Sequence, residues 1–201
     1  MSKIQANQIQ HTQNGAAVFT LPTSDGSTGQ VIKTDGSGSL SFVAQPAAGI
    51  SQADEWRLNT QFDTYSAYIG SNLERNDTDF ALIGSGMTES SGVFSFPATG
   101  IYSVEFNLGA YRSSGQYIRY VGAFIYATTN NSSYNVRAQA YSSISNDDTA
   151  NCTVPCRMIF DVQDTSTHKV KFRVLSEDTV TIRCDTDRQD TSFRFIRLGD
   201  T

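Results

Sequence analysis

The chain has 201 residues, 38% hydrophobic and 11% aromatic, which allows one real core plus an appendage. Only 17% are charged, the formal net charge is −5 and basic residues stand singly, which disfavours nucleic-acid binding because that needs a basic patch. No apolar run approaches the roughly 20 residues of a membrane-spanning helix, and Met1-Ser2-Lys3-Ile4-Gln5 lacks the apolar stretch of a signal peptide. Three cysteines, an odd number, argue against a disulfide framework. The expectation is a protein made in a cytoplasm, with no membrane insertion.

Residues 1–45 are rich in Gln, Gly, Ser and Thr, and their apolar residues come in short bursts. Ala16 to Leu21 reads as a strand containing Val18, Phe19 and Leu21, stopped by Pro22. Gln30 to Thr34 reads as a second, with Val31 and Ile32. Asp35-Gly36-Ser37-Gly38 is a turn in which glycine supplies positive φ, and Leu40 to Val43 alternates Leu40 and Phe42 as a third strand. Three strands this short cannot bury a core of their own. The segment is therefore expected to be an attachment or trimerisation arm, ordered against another surface, rather than a floppy linker.

Residues 46–54, around Gln45-Pro46-Ala47-Ala48-Gly49, read as a hinge, and residues 55–201 as a head. In the head, short alternating strands follow one another: 56–62, 92–97, 100–108, 117–126, 134–141, 150–162, 169–175, 179–184 and 192–198. Tyr102, Val104, Phe106 and Leu108 share one face, as do Cys152, Val154, Cys156, Met158, Phe160 and Val162. Eight to ten such strands without helical periodicity indicate an all-β sandwich or barrel.

The run Phe94-Ser95-Phe96-Pro97-Ala98-Thr99-Gly100-Ile101-Tyr102-Ser103-Val104-Glu105-Phe106 resembles the signature hairpin of the C1q/tumour-necrosis-factor-like jelly rolls. Pro97 ends one strand, Gly100 makes the turn, and Tyr102 and Phe106 enter the core. The stretches Val162 to Val174 and Thr191 to Ile196 are similar to later strands of that family. No collagen-like stalk precedes the domain. Leu21 to Gly26 and Gly29 to Phe42 look like a segment of bacteriophage fibre and virion structural proteins, especially of cyanobacterial and marine phages. Trp56-Arg57-Leu58 and Ser71 to Arg75 look like their C1q-like heads. The resemblance implies an all-β chain: a jelly-roll β-sandwich head behind an extended β-rich arm. It further implies a homotrimer whose arm fastens it to a capsid or tail protein of a virus particle.

Other constellations have plain structural readings. Cys152 and Cys156 lie about 13 Å apart along a strand, too far to share one zinc or a disulfide unless Pro155 bends the chain. Asp185, Asp187 and Asp190, with Asp147 and Asp148, either hold a hard cation or are solvated turn residues; no cofactor is expected and calcium stays open. His11 and His168 stand beside no nucleophile motif, and Glu177-Asp178 reads as a turn. The expectation is not an enzyme. Tyr65, Tyr68, Tyr111, Tyr117, Tyr134 and Tyr141 offer either a glycan- or protein-contact surface or packing. The leading reading is a trimeric virion structural protein, a short fibre, spike or capsid decoration. The alternative is a receptor-binding adhesin that recognises a host surface glycan or protein.

Overall fold

The computed structural model describes residues 6–10, 18–45, 49–77, 79–80, 82–112 and 115–201. Pro46, Ala47 and Ala48 of the expected hinge, His11, and Ala16-Ala17 of the first expected strand lie outside the described residues. The chain divides into two compact units, 1–49 and 50–201.

The first unit holds two small antiparallel ladders. Strand β1 (Gln8–Gln10) pairs with β2 (Val18–Thr20), and β3 (Gln30–Thr34) pairs with β4 (Leu40–Ala44). A parallel bridge between Thr20 and Ser39 joins the ladders, and the Thr20 amide donates to the Gly38 carbonyl at 2.8 Å. The β3–β4 turn is built by Asp35, whose carboxylate accepts from the amides of Ser37 and Ser39 at 2.8 and 2.9 Å. Gly36 and Gly38 take φ of +80° and +95°, open to glycine without a Cβ clash penalty.

The second unit contains eleven strands: β5 (Ala53–Leu58), β6 (Phe62–Tyr68), β7 (Leu73–Arg75), β8 (Thr88–Ser90), β9 (Val93–Ser95), β10 (Gly100–Arg112), β11 (Tyr120–Thr128), β12 (Asn135–Ser143), β13 (Asn151–Val162), β14 (Lys169–Ile182) and β15 (Ser192–Gly199). One layer runs β7-β5-β15-β10-β13. The other runs β12-β11-β14, with β6 and the β8–β9 pair completing it beyond β14. The layers join where Ala110–Arg112 pair with Val180–Ile182, so the sheet curls onto itself. All pairings are antiparallel, which lets each layer bury one face and wet the other.

The core fills the space between the layers. Along β10, Tyr102, Val104, Phe106, Leu108 and Ala110 are buried while the residues between Gly100 and Gly109 that alternate with them are only half-buried. They meet Val170, Phe172 and Val174 of β14 and Phe193 and Phe195 of β15. Phe172 and Phe193 lie 4.6 Å apart, Phe106 stacks on Phe193 at 5.1 Å, and Phe94 closes the group against Phe195 at 5.1 Å. Such ring pairs stabilise by about 0.5–1.5 kcal/mol each beyond their burial.

Several expectations change. Phe94 to Phe106 is not a hairpin: β9 pairs with β8 and β14, whereas β10 pairs with β13, β14 and β15. The segment is a corner that carries the chain from one layer to the other. Pro97 has no N–H to add to a ladder, and the Tyr102 hydroxyl donates to the Ala98 carbonyl at 3.0 Å. Gly100 has φ +143°, and a Cβ there would sit 2.6 Å from the Gly199 carbonyl oxygen. Residues 169–182 form one long strand where two, 169–175 and 179–184, were expected, and Arg183 and Cys184 lie beyond its end. Glu177 and Asp178 lie inside β14, at a register shift against β6, and Glu177 accepts from Arg119. The span 56–62 is divided between β5 and β6, and β5 begins at Ala53, inside the expected hinge.

Candidate functional site

No residue of the first unit is buried among those described. Phe19 faces Ile9 across the β1–β2 ladder, with 39% and 55% of their surfaces exposed. In the second ladder, Ile32 is opposite Phe42 and Thr34 opposite Leu40, on one face. Val31 and Val43 are opposite each other on the reverse face. Phe42 lies over Gly26, where an added Cβ would meet its ring at 2.6 Å. Leu21, Pro22, Leu40 and Phe42 line an open groove of about 510 Å³. The seven residues singled out in this segment thus fall in two groups. Leu21, Leu40 and Phe42 gather around the groove, while Val18, Phe19, Val31 and Ile32 lie exposed, Ile32 beside Leu21 and Phe42. Ile9 was missed, because one Ile between two Gln carries no period of its own.

The residues marking the corner behave differently. Phe94, Phe96, Tyr102 and Phe106 are buried in the head's core, and Pro97 and Gly100 shape its turn. Nearby, Asp54 is buried yet fully engaged. It accepts from the Trp56 indole at 2.9 Å, from Arg75 at 2.8 and 3.0 Å, and from the Met87 amide at 2.7 Å. Arg57 is fully buried and donates to Glu74, Asn76 and Asp77 at 2.8, 2.9 and 2.6 Å. These bonds clamp β5 to β7. They are structural, because every charged group in them already has its partner.

The outer face of the β7-β5-β15-β10-β13 layer carries two neighbouring cross-strand rows. Glu55, Arg194, Glu105 and Arg157 alternate in charge across four strands, with Arg194 2.7 Å from Glu55 and 3.6 Å from Glu105. Beside it run Ala53, Ile196, Ser103 and Ile159, and Ile159 is 70% exposed.

The outer face of the other layer is aromatic and basic. On β14, Lys169, Lys171 and Arg173 alternate outward between the buried Val170, Phe172 and Val174. The Lys171 ammonium lies 4.1 Å from the Tyr68 ring centre and 4.3 Å from that of Tyr134. Arg173 donates to the Tyr126 hydroxyl at 3.2 Å and to the Ser66 hydroxyl at 2.8 Å. Tyr68 and Tyr126 meet edge to face at 5.2 Å. Burial pushes the Tyr126 phenol up, but hydrogen bonds from Arg173 and Tyr68 and the charges of Arg173 and Lys171 outweigh it, leaving it below its ordinary value. Farther along, Tyr141 lies across Gly122 and packs edgewise on Tyr120 and Phe124. Of the tyrosines named from sequence, Tyr68 and Tyr134 share Lys171. Tyr65 and Tyr117 are each 61% exposed and have no ring partner among the described residues.

Asp185 and Asp190 of the last loop, and Asp148 near it, are occupied. Asp185 is held below the usual carboxylate range by the Asp187 amide and by Arg188, Asp190 pairs with Arg183, and Asp148 with Arg112. Among the described residues, no three His, Cys, Asp or Glu side chains are placed to hold a metal ion. A cavity of about 470 Å³ at this end is lined by Asn151, Cys152, Arg183 and Asp190, and its cation is already paired. Cys152, Cys156 and Cys184 are free thiols; burial pushes Cys152 up to about 11. Cys152 and Cys156 both face the core. His168, just before β14, is buried, with Nδ1 3.0 Å from the Thr167 hydroxyl and its ring against Phe160.

No protein-family model and no curated protein sequence matches the chain. Solved structures do. Murine APRIL at pH 5.0 superposes with a TM-score of 0.56 at 9% identity, over 73% of this chain and 98% of that one. Eiger TNF from S. frugiperda superposes at 0.54 with 12% identity, over 74% and 93%. The chain therefore has an all-β jelly-roll fold of the tumour-necrosis-factor-like kind.

Proposed function

We propose that this jelly-roll chain is a non-enzymatic structural protein of a virus particle, a bacteriophage fibre, spike or capsid decoration. Its N-terminal arm fastens to a capsid or tail protein and its head is displayed outward as a homotrimer. The observation that carries this reading is the contrast between the units. The head owns a complete core, whereas the arm displays Ile9, Phe19, Ile32 and Val31 on ladders that bury no residue among those described. Short ladders with exposed apolar groups and free edges are the form that strand addition completes. Trimerisation multiplies the weak contact each arm makes into tight attachment. The row of Ala53, Ile196, Ser103 and Ile159 supplies an apolar strip for subunit packing, and the adjacent charge row can set its register.

The test is to remove residues 1–45 and follow particle binding. The truncated head is expected to stay folded and to sediment at three times the chain mass, while losing the particle. Retained binding would sink the arm's role, and a monomer would sink the trimer.

A second role for the head is favoured by the Tyr68, Tyr126, Tyr134, Lys171 and Arg173 face: contact with a glycan or protein on a host surface. Tyrosine gives large contact area at low conformational cost.

A further inference from the structure

We infer that the outer face of β14, centred on Lys171 and Arg173, is a binding site for an acidic polysaccharide whose sugar rings carry carboxylates. This rests on the reading of the head as a host-surface contact module and names its ligand.

Charge is the first argument. The chain carries a net −5, and Arg57, Arg75, Arg112, Arg119, Arg157, Arg183, Arg188, Arg194 and Arg197 each face a carboxylate. Among the described residues, Lys169, Lys171 and Arg173 have no such ion pair. They stand at alternate positions of one strand, about 6.6 Å apart along the backbone. Three unneutralised cations in a row on an acidic protein complement a linear polyanion.

Preorganisation is the second argument. Lys171 is held between two rings, and Arg173 is fixed by Tyr126 and Ser66. Those two bonds leave three of the five guanidinium N–H donors for a ligand. A carboxylate accepting from Arg173 therefore meets a cation that has already lost its rotamer freedom, so less affinity is forfeited on binding.

The third argument separates sugar from peptide. β14 is paired by β11 on one side and β6 on the other around Arg173, so an acidic peptide cannot add a strand to the one that carries the cations. What the face presents instead is ring and hydroxyl: Tyr68, 46% exposed, Tyr134, the Tyr126 phenol and the Ser66 hydroxyl. Pyranose C–H groups carry positive edge charge that suits the negative face of an aromatic ring. Sugar hydroxyls suit the flanking phenols.

The experiment titrates the full-length protein with polygalacturonate, neutral dextran and poly-glutamate, following heat or polarisation. Polygalacturonate is expected to bind more tightly than dextran and poly-glutamate. The variant Lys171→Gln/Arg173→Gln, checked for an unchanged melting curve, is expected to lose about tenfold or more. Lys171→Gln alone leaves the Arg173 bonds in place and is expected to lose less in the same direction, which guards against misfolding of the double variant. Equal or tighter poly-glutamate binding overturns the sugar assignment. Polysaccharide binding that neither variant weakens overturns the site while leaving a glycan-binding head. No binding to any of the three polymers overturns both this site and glycan recognition by the head.

Discussion

The arm and the head are made of the same local materials. Both use period-two alternation, and both turn on glycine beside a short polar residue. Asp35 caps the β3–β4 turn with two backbone bonds, just as Asp185 caps a loop of the head with the amides of Asp187 and Arg188. Yet the head buries Phe94, Phe106, Phe172 and Phe193 completely and the arm buries nothing that is described. The difference is the second layer. A ladder gives each residue one covered side at most, while a sandwich surrounds it. Strand propensity is thus a local property, and being a domain is not.

The largest effect that would sharpen this contrast is a ring removed from each unit. Phe172→Ala opens a cavity among Phe94, Phe106 and Phe193. It is expected to cost about 3–5 kcal/mol in denaturant unfolding. Phe42→Ala in the first unit is expected to leave the head's unfolding midpoint in place and, on the proposed role of that unit, to weaken particle attachment. If the two truncations lowered that midpoint alike, the arm would share the head's core and the contrast would break.

Next comes the buried clamp. Asp54→Ala leaves the Arg75 guanidinium, the Trp56 indole and the Met87 amide without their acceptor, and is expected to cost about 3 kcal/mol in the same measurement. Gly92→Ala should follow at about 2 kcal/mol. Its φ is +79°, and the new Cβ would sit 2.1 Å from the Ile69 carbonyl oxygen.

Smaller effects come from titration. The Arg119 side-chain bonds hold Glu177 below its ordinary value, with help from the Arg119 amide. A carboxyl lowered by folding binds fewer protons in the native state than in the unfolded one. Its contribution is present above the unfolded value, near 4.3, and fades as pH falls through the native one. Melting temperature against pH should therefore drop more shallowly in acid for Glu177→Gln than for the parent. The Cys152 thiol moves the other way, raised to about 11 by burial. Its neutral form is the native one, so its contribution is lost as pH rises from the unfolded value toward 11. Disulfide-exchange labelling near pH 8 should be much slower at Cys152 in the native head than in denaturant; equal rates would contradict its burial.

Much of the head was legible in the sequence. The inward sets of β10 and β13 repeat every second residue without interruption, and the structure covers both. What escaped has physical causes. β7 and β8 are three residues long, too short for a period to appear. β14 was divided because Glu177-Asp178 looks like a turn, while the fold absorbs the pair as an irregularity bound by Arg119. Arg57 was unforeseeable as a buried residue, since its partners Glu74, Asn76 and Asp77 follow it at 17 to 20 positions. The aromatic and basic face was legible only as scattered tyrosines. Tyr68 and Lys171 are remote in sequence, and only the β6–β14 register brings them together.

Pro155 has a further consequence. It sits within β13, opposite Asn107, and among the described residues β13 pairs with β10 alone. A proline interrupts any row of donors an incoming chain would need. Three other margins of the head are blunt as well: β7 and β8 are three residues long, and β12 shifts register opposite Ile125 and Tyr126. Edge-to-edge fusion of neighbouring copies is thereby disfavoured along these margins. The arm's ladders carry no proline in their described strands. The ladders of the first unit thus lack the device that blunts these margins of the second.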